Sequence, residues 1–174
     1  MTSSSTSRPR IVDYVGAWVL RPDRTTISIR SKAMRIFPVQ GTFVVVEGNL
    51  VVSPTGSVSG TVVIDAASVN TKNKKRDAHL RTADFFDVET YPTFVFDAPS
   101  VSLQENGQVG IRGMLTILGQ TLPIDLLGEI ESSGTSLRVT AESTINRSDW
   151  GMSKTPAGAS LATHLEIAAQ FDRS

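Results

Sequence analysis

From Ala17 onward, apolar and polar residues alternate with a period of two, which places successive side chains on opposite faces of a strand; helical periodicity is nearly absent. Ile27 and Ile29 alternate with Thr26, Ser28 and Arg30, and Val58, Gly60, Val62 and Ile64 alternate with Ser57, Ser59 and Thr61. After Val51 and Val52, the cluster Ser53, Pro54, Thr55 and Gly56 predicts a hairpin turn. Val109, Ile111, Gly113, Leu115 and Ile117 share one face, Leu122, Ile124, Leu126, Gly128 and Ile130 another, and a tight turn is expected at Gly119 and Gln120. The last two strands alternate most cleanly, with Leu137, Val139, Ala141 and Ile145 in one and Leu161, Leu165, Ile167 and Phe171 in the other. Phe43 has the opposite parity to Val46, Gly48, Leu50 and Val52, so a β-bulge between Phe43 and Val46 is needed to keep one inward face. This makes about eight strands with hairpin-like connections, a set that removes its edges by closing into a barrel or stacking as a sandwich.

The stretch from Thr71 to Pro92, TKNKKRDAHLRTADFFDVETYP, interrupts the alternation with concentrated charge and aromatic residues. One short helix is expected at about residues 74–81, and Pro92 biases Tyr91 toward extended backbone leading into a strand with Phe94 and Phe96 inward. The length of 174 residues suits one domain with a sizeable core, here a disordered Ser- and Thr-rich tail over residues 1–10 and a single domain over 11–174. Seventeen basic and seventeen acidic side chains cancel, which argues against nucleic acid as a partner. The chain has no cysteine, so disulfides, thiol nucleophiles and thiolate metal sites are excluded. The apolar runs required of a secretory signal or a spanning helix are missing, and the expectation is a cytoplasmic protein with no transmembrane segment.

Candidate chemistry is sparse. Two histidines, His79 and His164, are too few for most histidine-based metal sites, which leaves open only a mixed site with carboxylates, and Asp77 and His79 stand two apart, a spacing that points them away from each other on a helix. No metal site is expected. His164 falls on the polar parity of its strand and reads as solvent-facing. The segment Gly56 to Gly60 places valine where a nucleophile elbow needs serine, and Gly107, Gly110 and Gly113 lie along a strand rather than between a strand and a helix. Asp84 and Asp87 read as turn-holding residues before they read as an acid–base pair. No catalytic residue is assigned.

The ordered residues HL-R-T-A-D-FFD-V-E-T-YP-x-F-x-F from His79 to Phe96 resemble the signature of the YceI-like, polyisoprenoid-binding proteins. Trp18, Leu20, Pro22 and Asp23 are similar to that family's opening strand, Gln40 to Phe43 with Gly48 to its next motif, and Ser68 to Thr71 to its approach to the helix. Gly113 to Gly119 resembles its G-x-L-T-x-x-G hairpin and Asn146 to Met152 its R-x-D-F/W-G loop. The resemblance runs from Trp18 to Phe171, and departs where many members carry a His-Ser pair at Arg24 and Thr25 and a histidine in the region of Lys32 to Arg35.

What the resemblance implies is a lipocalin-like antiparallel eight-stranded β-barrel with one short helix, enclosing a polyprenyl lipid or isoprenoid quinone without chemistry of its own and with no required cofactor. The expected barrel lining is Ile27, Ile29, Phe43, Val62, Ile64, Phe94, Phe96, Ile111, Leu115, Ile117, Leu126, Val139, Leu165 and Ile167, with no charged member; the expected mouth is His79, Leu80, Phe85, Phe86 and Trp150. An eight-stranded barrel has room for side chains or one slender ligand, so a closed, ligand-free interaction domain stays open, as does an enzyme using His79 with Asp77 or Asp84. A homodimer is a further expectation, since long paired strands leave a β-rich surface.

Overall fold

Among the described residues the alternating segments form nine strands: β1 (Gly16–Leu20), β2 (Thr26–Ala33), β3 (Phe37–Val52), β4 (Val58–Asn70), β5 (Thr93–Leu103), β6 (Gln108–Ile117), β7 (Gln120–Ser132), β8 (Ser136–Asn146) and β9 (Ala162–Arg173). The computed structural model describes residues 10–34, 36–104 and 108–174, so the expected tail up to residue 9, and Gly107, lie outside the described residues. The α-helix α1 (Lys74–Leu80) occupies the expected place.

All neighbouring strands pair antiparallel, and β4 returns to β3 to close the sheet. The ring has eight positions rather than nine because β1 and β2 share one. Both lie between β3 and β9: β1 pairs with the end of β3 (Val19↔Asn49) and the end of β9 (Leu20↔Phe171), while β2 pairs with the start of β3 (Ile27↔Phe43) and of β9 (Ile29↔Leu165). A 3-10 turn at Pro22–Arg24 separates them, where proline has no N–H to give a ladder. The gap is bridged by Arg21 N donating to Gln170 O (2.7 Å) and Gln170 N donating to Thr25 Oγ1 (3.3 Å).

The β3 bulge is present, but the parity changes later than expected. Register shifts fall between Thr42 and Val44 and between Val45 and Glu47. Phe43 and Val45 point inward, while Val46, expected on the inner face, is 51% exposed. The β6–β7 turn is also displaced by one residue: Leu118 (φ 52) and Gly119 (φ 72) are its central pair, and the two positive φ values match the strand twist of a two-residue hairpin.

The connections divide the barrel into two ends. At the floor lie β1, the β3–β4 and β7–β8 hairpins and the end of β9; at the mouth lie the β2–β3 hairpin, α1, the β6–β7 turn and residues 147–161. The floor is filled. Trp18 and Leu137 are fully enclosed there in one apolar cluster with Leu20, Val52, Leu126 and Phe171. Trp18 Nε1 donates to Tyr14 O at 2.9 Å, and the Arg173 guanidinium stacks 4.3 Å from the indole centroid.

Candidate functional site

Above this floor the inward side chains stop meeting in the middle. A cavity of about 560 Å³ remains, walled by Ile27, Ile29, Phe43, Ile64, Phe94, Phe96, Leu115, Ile117, Leu165 and Ile167 from the expected lining, with Val39, Ile124 and Ile145 in addition. Val62, Ile111, Leu126 and Val139 do not line it. They share the inward parity but lie nearer the floor, where they pack into the apolar core. Phe96 reaches the wall by lying over Gly113, where a Cβ would come within 2.4 Å of its ring.

Phe43, Phe94 and Phe86 form an edge-to-face triangle, with centroids 5.2 to 5.7 Å apart, and through it the segment after α1 reaches into the barrel. Leu80, Phe85 and His79 line the mouth as well. Trp150 does not: it is buried behind the wall in a 3-10 turn (Arg147–Trp150), with its Nε1 donating to Leu115 O at 3.0 Å. An indole can be buried only with its N–H satisfied, and that bond holds the turn to β6 rather than to the cavity.

The charged block is consumed largely in building this cap. Asn73 Oδ1 accepts from Arg76 N (3.0 Å), capping α1. Asp77 is buried and accepts from Thr71 N (2.9 Å) and Thr71 Oγ1 (2.5 Å), while Arg76 Nε and Nη2 donate to Thr71 Oγ1 and O. Arg81 donates to the carbonyls of Ala67 and Val69 at 2.9 and 3.2 Å, tying the end of α1 to β4. Asp77 and His79 therefore do not converge. His79 Nε2 instead pairs with Asp84 Oδ2 at 2.9 Å, and the other oxygen of Asp84 accepts from Lys154 Nζ. Lys154 first, then His79, hold the exposed Asp84 carboxyl below its ordinary range.

One residue of the wall was hidden in plain parity. Arg147 continues the inward series Leu137, Val139, Ala141, Ile145, and it is buried at the mouth end of the cavity. The lining thus has a charged member, contrary to expectation. Arg147 Nε donates to Ser160 O (3.0 Å) and Nη1 to Met152 O (2.7 Å), with Phe85 5.5 Å away against the guanidinium. Nη2 has no partner among the described residues. Burial pushes the guanidinium pKa down, and no carboxylate contributes to the shift. The other charged residues of the wall, Lys32, Lys75 and Arg76, are also basic, and no Asp or Glu lines the cavity among the described residues.

His164 lies away from this site, on the barrel's outer surface. It is partly covered rather than fully solvent-facing, with Glu142 and Glu166 3.6 and 3.4 Å from its Nε2. Its Nδ1 is within 3.2 Å of Thr144 Oγ1, and Glu166 is paired with Arg30 at 2.5 Å. These three groups lie close enough to hold a metal. The Arg30 pair already occupies one of the carboxylates, so the group reads as a cross-strand ion network. No helix among the described residues is long and apolar enough to cross a membrane.

The fold recurs in solved structures. BcnA of Burkholderia cenocepacia superposes with a TM-score of 0.76 at 19% identity, covering 87% of this chain and 98% of that one. A polyisoprenoid-binding domain from Saccharophagus degradans superposes at 0.70 with 18% identity, covering 90% and 98%. The YceI protein of Campylobacter jejuni superposes at 0.65 with 26% identity, covering 78% and 85%. In sequence, a UPF0312 protein of Staphylococcus aureus is 30% identical over 74% of this chain and 77% of its own length. A UPF0312 protein of Vibrio cholerae is 34% identical over 55% of this chain, which spans only about half, 52%, of that relative. The YceI-like domain profile matches residues 18–172, from the floor tryptophan to the last strand that pairs with it, and the chain belongs to the YceI-like family.

Proposed function

We propose that the protein binds and carries a polyisoprenoid lipid, a polyprenyl lipid or an isoprenoid quinone, with the apolar tail in the barrel cavity and the polar end at the mouth. The observation that carries this reading is the cavity itself: about 560 Å³, apolar along its depth and basic only around Lys32, Lys75, Arg76 and Arg147 at one end. An isoprenoid tail has only apolar surface to offer, and enclosing a few hundred Å² at about 25 cal/mol per Å² is worth several kcal/mol before association costs. The polyisoprenoid-binding description of the Saccharophagus domain supports the same ligand class. The basic residues that line the mouth, Lys32, Lys75, Arg76 and Arg147, suit an acceptor-bearing head group, carbonyl or phosphate.

The test is lipid extraction and mass spectrometry of protein purified from its native host, together with displacement of a fluorescent apolar probe by polyprenol and quinone. Recovery of an isoprenoid and competitive displacement are expected. A protein that carries no isoprenoid and neither binds nor is stabilised by an added one rejects the reading.

Catalysis on the bound lipid is a second reading, favoured by the pairing of His79, which lines the mouth, with Asp84. It requires the mass of the bound lipid to change on incubation, and a His79→Ala variant to abolish that change.

A further inference from the structure

The rim of the cavity carries two features that project into solvent around it. The first is the tip of the β2–β3 hairpin. Met34, Ile36 and Phe37 are 59, 72 and 54% exposed. They stand directly beside Lys32, Ala33 and Val39, which line the cavity, so the apolar tip projects at its mouth. Hairpin tips are ordinarily polar, and large apolar side chains grouped on a protrusion mark an interaction surface.

The second feature is at the start of α1, beside the β3 strand into which the hairpin leads. Lys72, Lys74 and Lys75 are exposed at the start of α1, and none of them, nor Lys32, takes part in an ion pair among the described residues. Asp77, the one acidic residue between Thr71 and Leu80, is buried against Thr71. The chain as a whole is neutral, so this positive rim is local rather than a reflection of overall charge.

We propose that the mouth docks on an anionic lipid bilayer, with Met34, Ile36 and Phe37 entering the head-group layer and the rim lysines resting on lipid phosphates. Apolar wedge and cationic collar together are the chemistry of a membrane surface, which supplies an apolar layer beneath an anionic one. An acidic protein would satisfy the lysines and leave the wedge in water. Docked in this way, the cavity faces the bilayer and a lipid passes between the two without crossing bulk water. The proposal builds on the lipid-binding reading but is tested separately from it.

The experiment is co-sedimentation of the full chain with vesicles of phosphatidylcholine alone and of equimolar phosphatidylcholine and phosphatidylglycerol, at low and high salt. The wild type is expected to partition onto the anionic vesicles, weakly or not at all onto the neutral ones, and less at high salt. A Met34→Ser, Ile36→Ser, Phe37→Ser variant is expected to lose about tenfold or more in partitioning, with an unchanged melting temperature and unchanged probe binding in vesicle-free solution. A Lys72→Ser, Lys74→Ser variant is expected to lose roughly fivefold per lysine and most of the salt dependence. A wild type that ignores anionic vesicles, or binds neutral ones equally, overturns the proposal, as does either variant partitioning like the wild type. Probe binding without vesicles reports on the cavity alone, so failure there counts against lipid binding and not against docking.

Discussion

The slot between β3 and β9 is filled by Trp18 and Leu20 of β1 at one end and by Ile27 and Ile29 of β2 at the other. At the floor the indole and its neighbours meet across the barrel, and Trp18 is 1% exposed. At the mouth the smaller isoleucines and the splayed phenylalanine triangle leave about 560 Å³. The same alternation thus yields a packed end and a hollow one. The difference lies in side-chain volume and in which strand occupies the slot, both of which an inward-facing pattern leaves unspecified.

The largest effect expected from this contrast is at the floor. Trp18→Ala should cost about 3–5 kcal/mol of folding stability in denaturant titration, because the surrounding strands cannot collapse into the space. A loss under about 1 kcal/mol would erase the distinction between the two ends.

Arg147→Met comes next. It deletes the bonds to the carbonyls of Ser160 and Met152, both at the mouth. A stability loss of about 1–3 kcal/mol is expected, along with weaker binding of head-group-bearing ligands relative to a plain hydrocarbon probe. Equal loss for both ligand types would remove Arg147 from head-group recognition.

Filling the hollow end should act in the opposite sense. Ile29→Phe is expected to leave the unliganded protein unchanged or stabilised by about 0.5–2 kcal/mol, while reducing probe affinity at least about tenfold. Calorimetry and probe titration on the same sample separate the two.

The smallest effect concerns the exposed pair that holds the cap to residue 154. Because Asp84 is held below the ordinary carboxylate range, its contribution is fully present above the ordinary carboxylate pKa of about 3.9. It is lost as pH falls through the lowered value. Asp84→Asn should lower the melting temperature slightly from neutral pH down to about pH 5, and the difference from wild type should vanish in stronger acid. A difference that persists there would assign the effect to something other than the charge.

Much of the fold was legible because strand parity is a local property. Inward positions such as Phe43, Leu115 and Leu165 follow from a period of two, and the β3 bulge follows from a parity conflict between Phe43 and Val52. Where the bulge resolved was not legible, since Val45 and Val46 are chemically identical and only the pairing with β4 chooses between them. Trp150 shows the opposite limit. Its sequence position beside the mouth was correct, but the bond to Leu115 O turned it away from the cavity. Arg147 could have been found, since a charged residue on an inward parity at a strand end is itself a signal.

The family signature in the charged block likewise announced a cap and did not disclose its bonds. Asp77 and His79 are two apart in sequence, and only the folded chain shows Asp77 held by Thr71 and His79 by Asp84.

Alternation, turn chemistry and motif order are carried by neighbours along the chain, and they were enough to specify the strands, the helix, the inner and outer faces and the family. The shared slot of β1 and β2, the full floor and hollow mouth, and the basic character of every charge lining the cavity among the described residues emerge only in the fold. Those are properties of volume and of long-range pairing, and they exist only once strands far apart in sequence have been brought face to face.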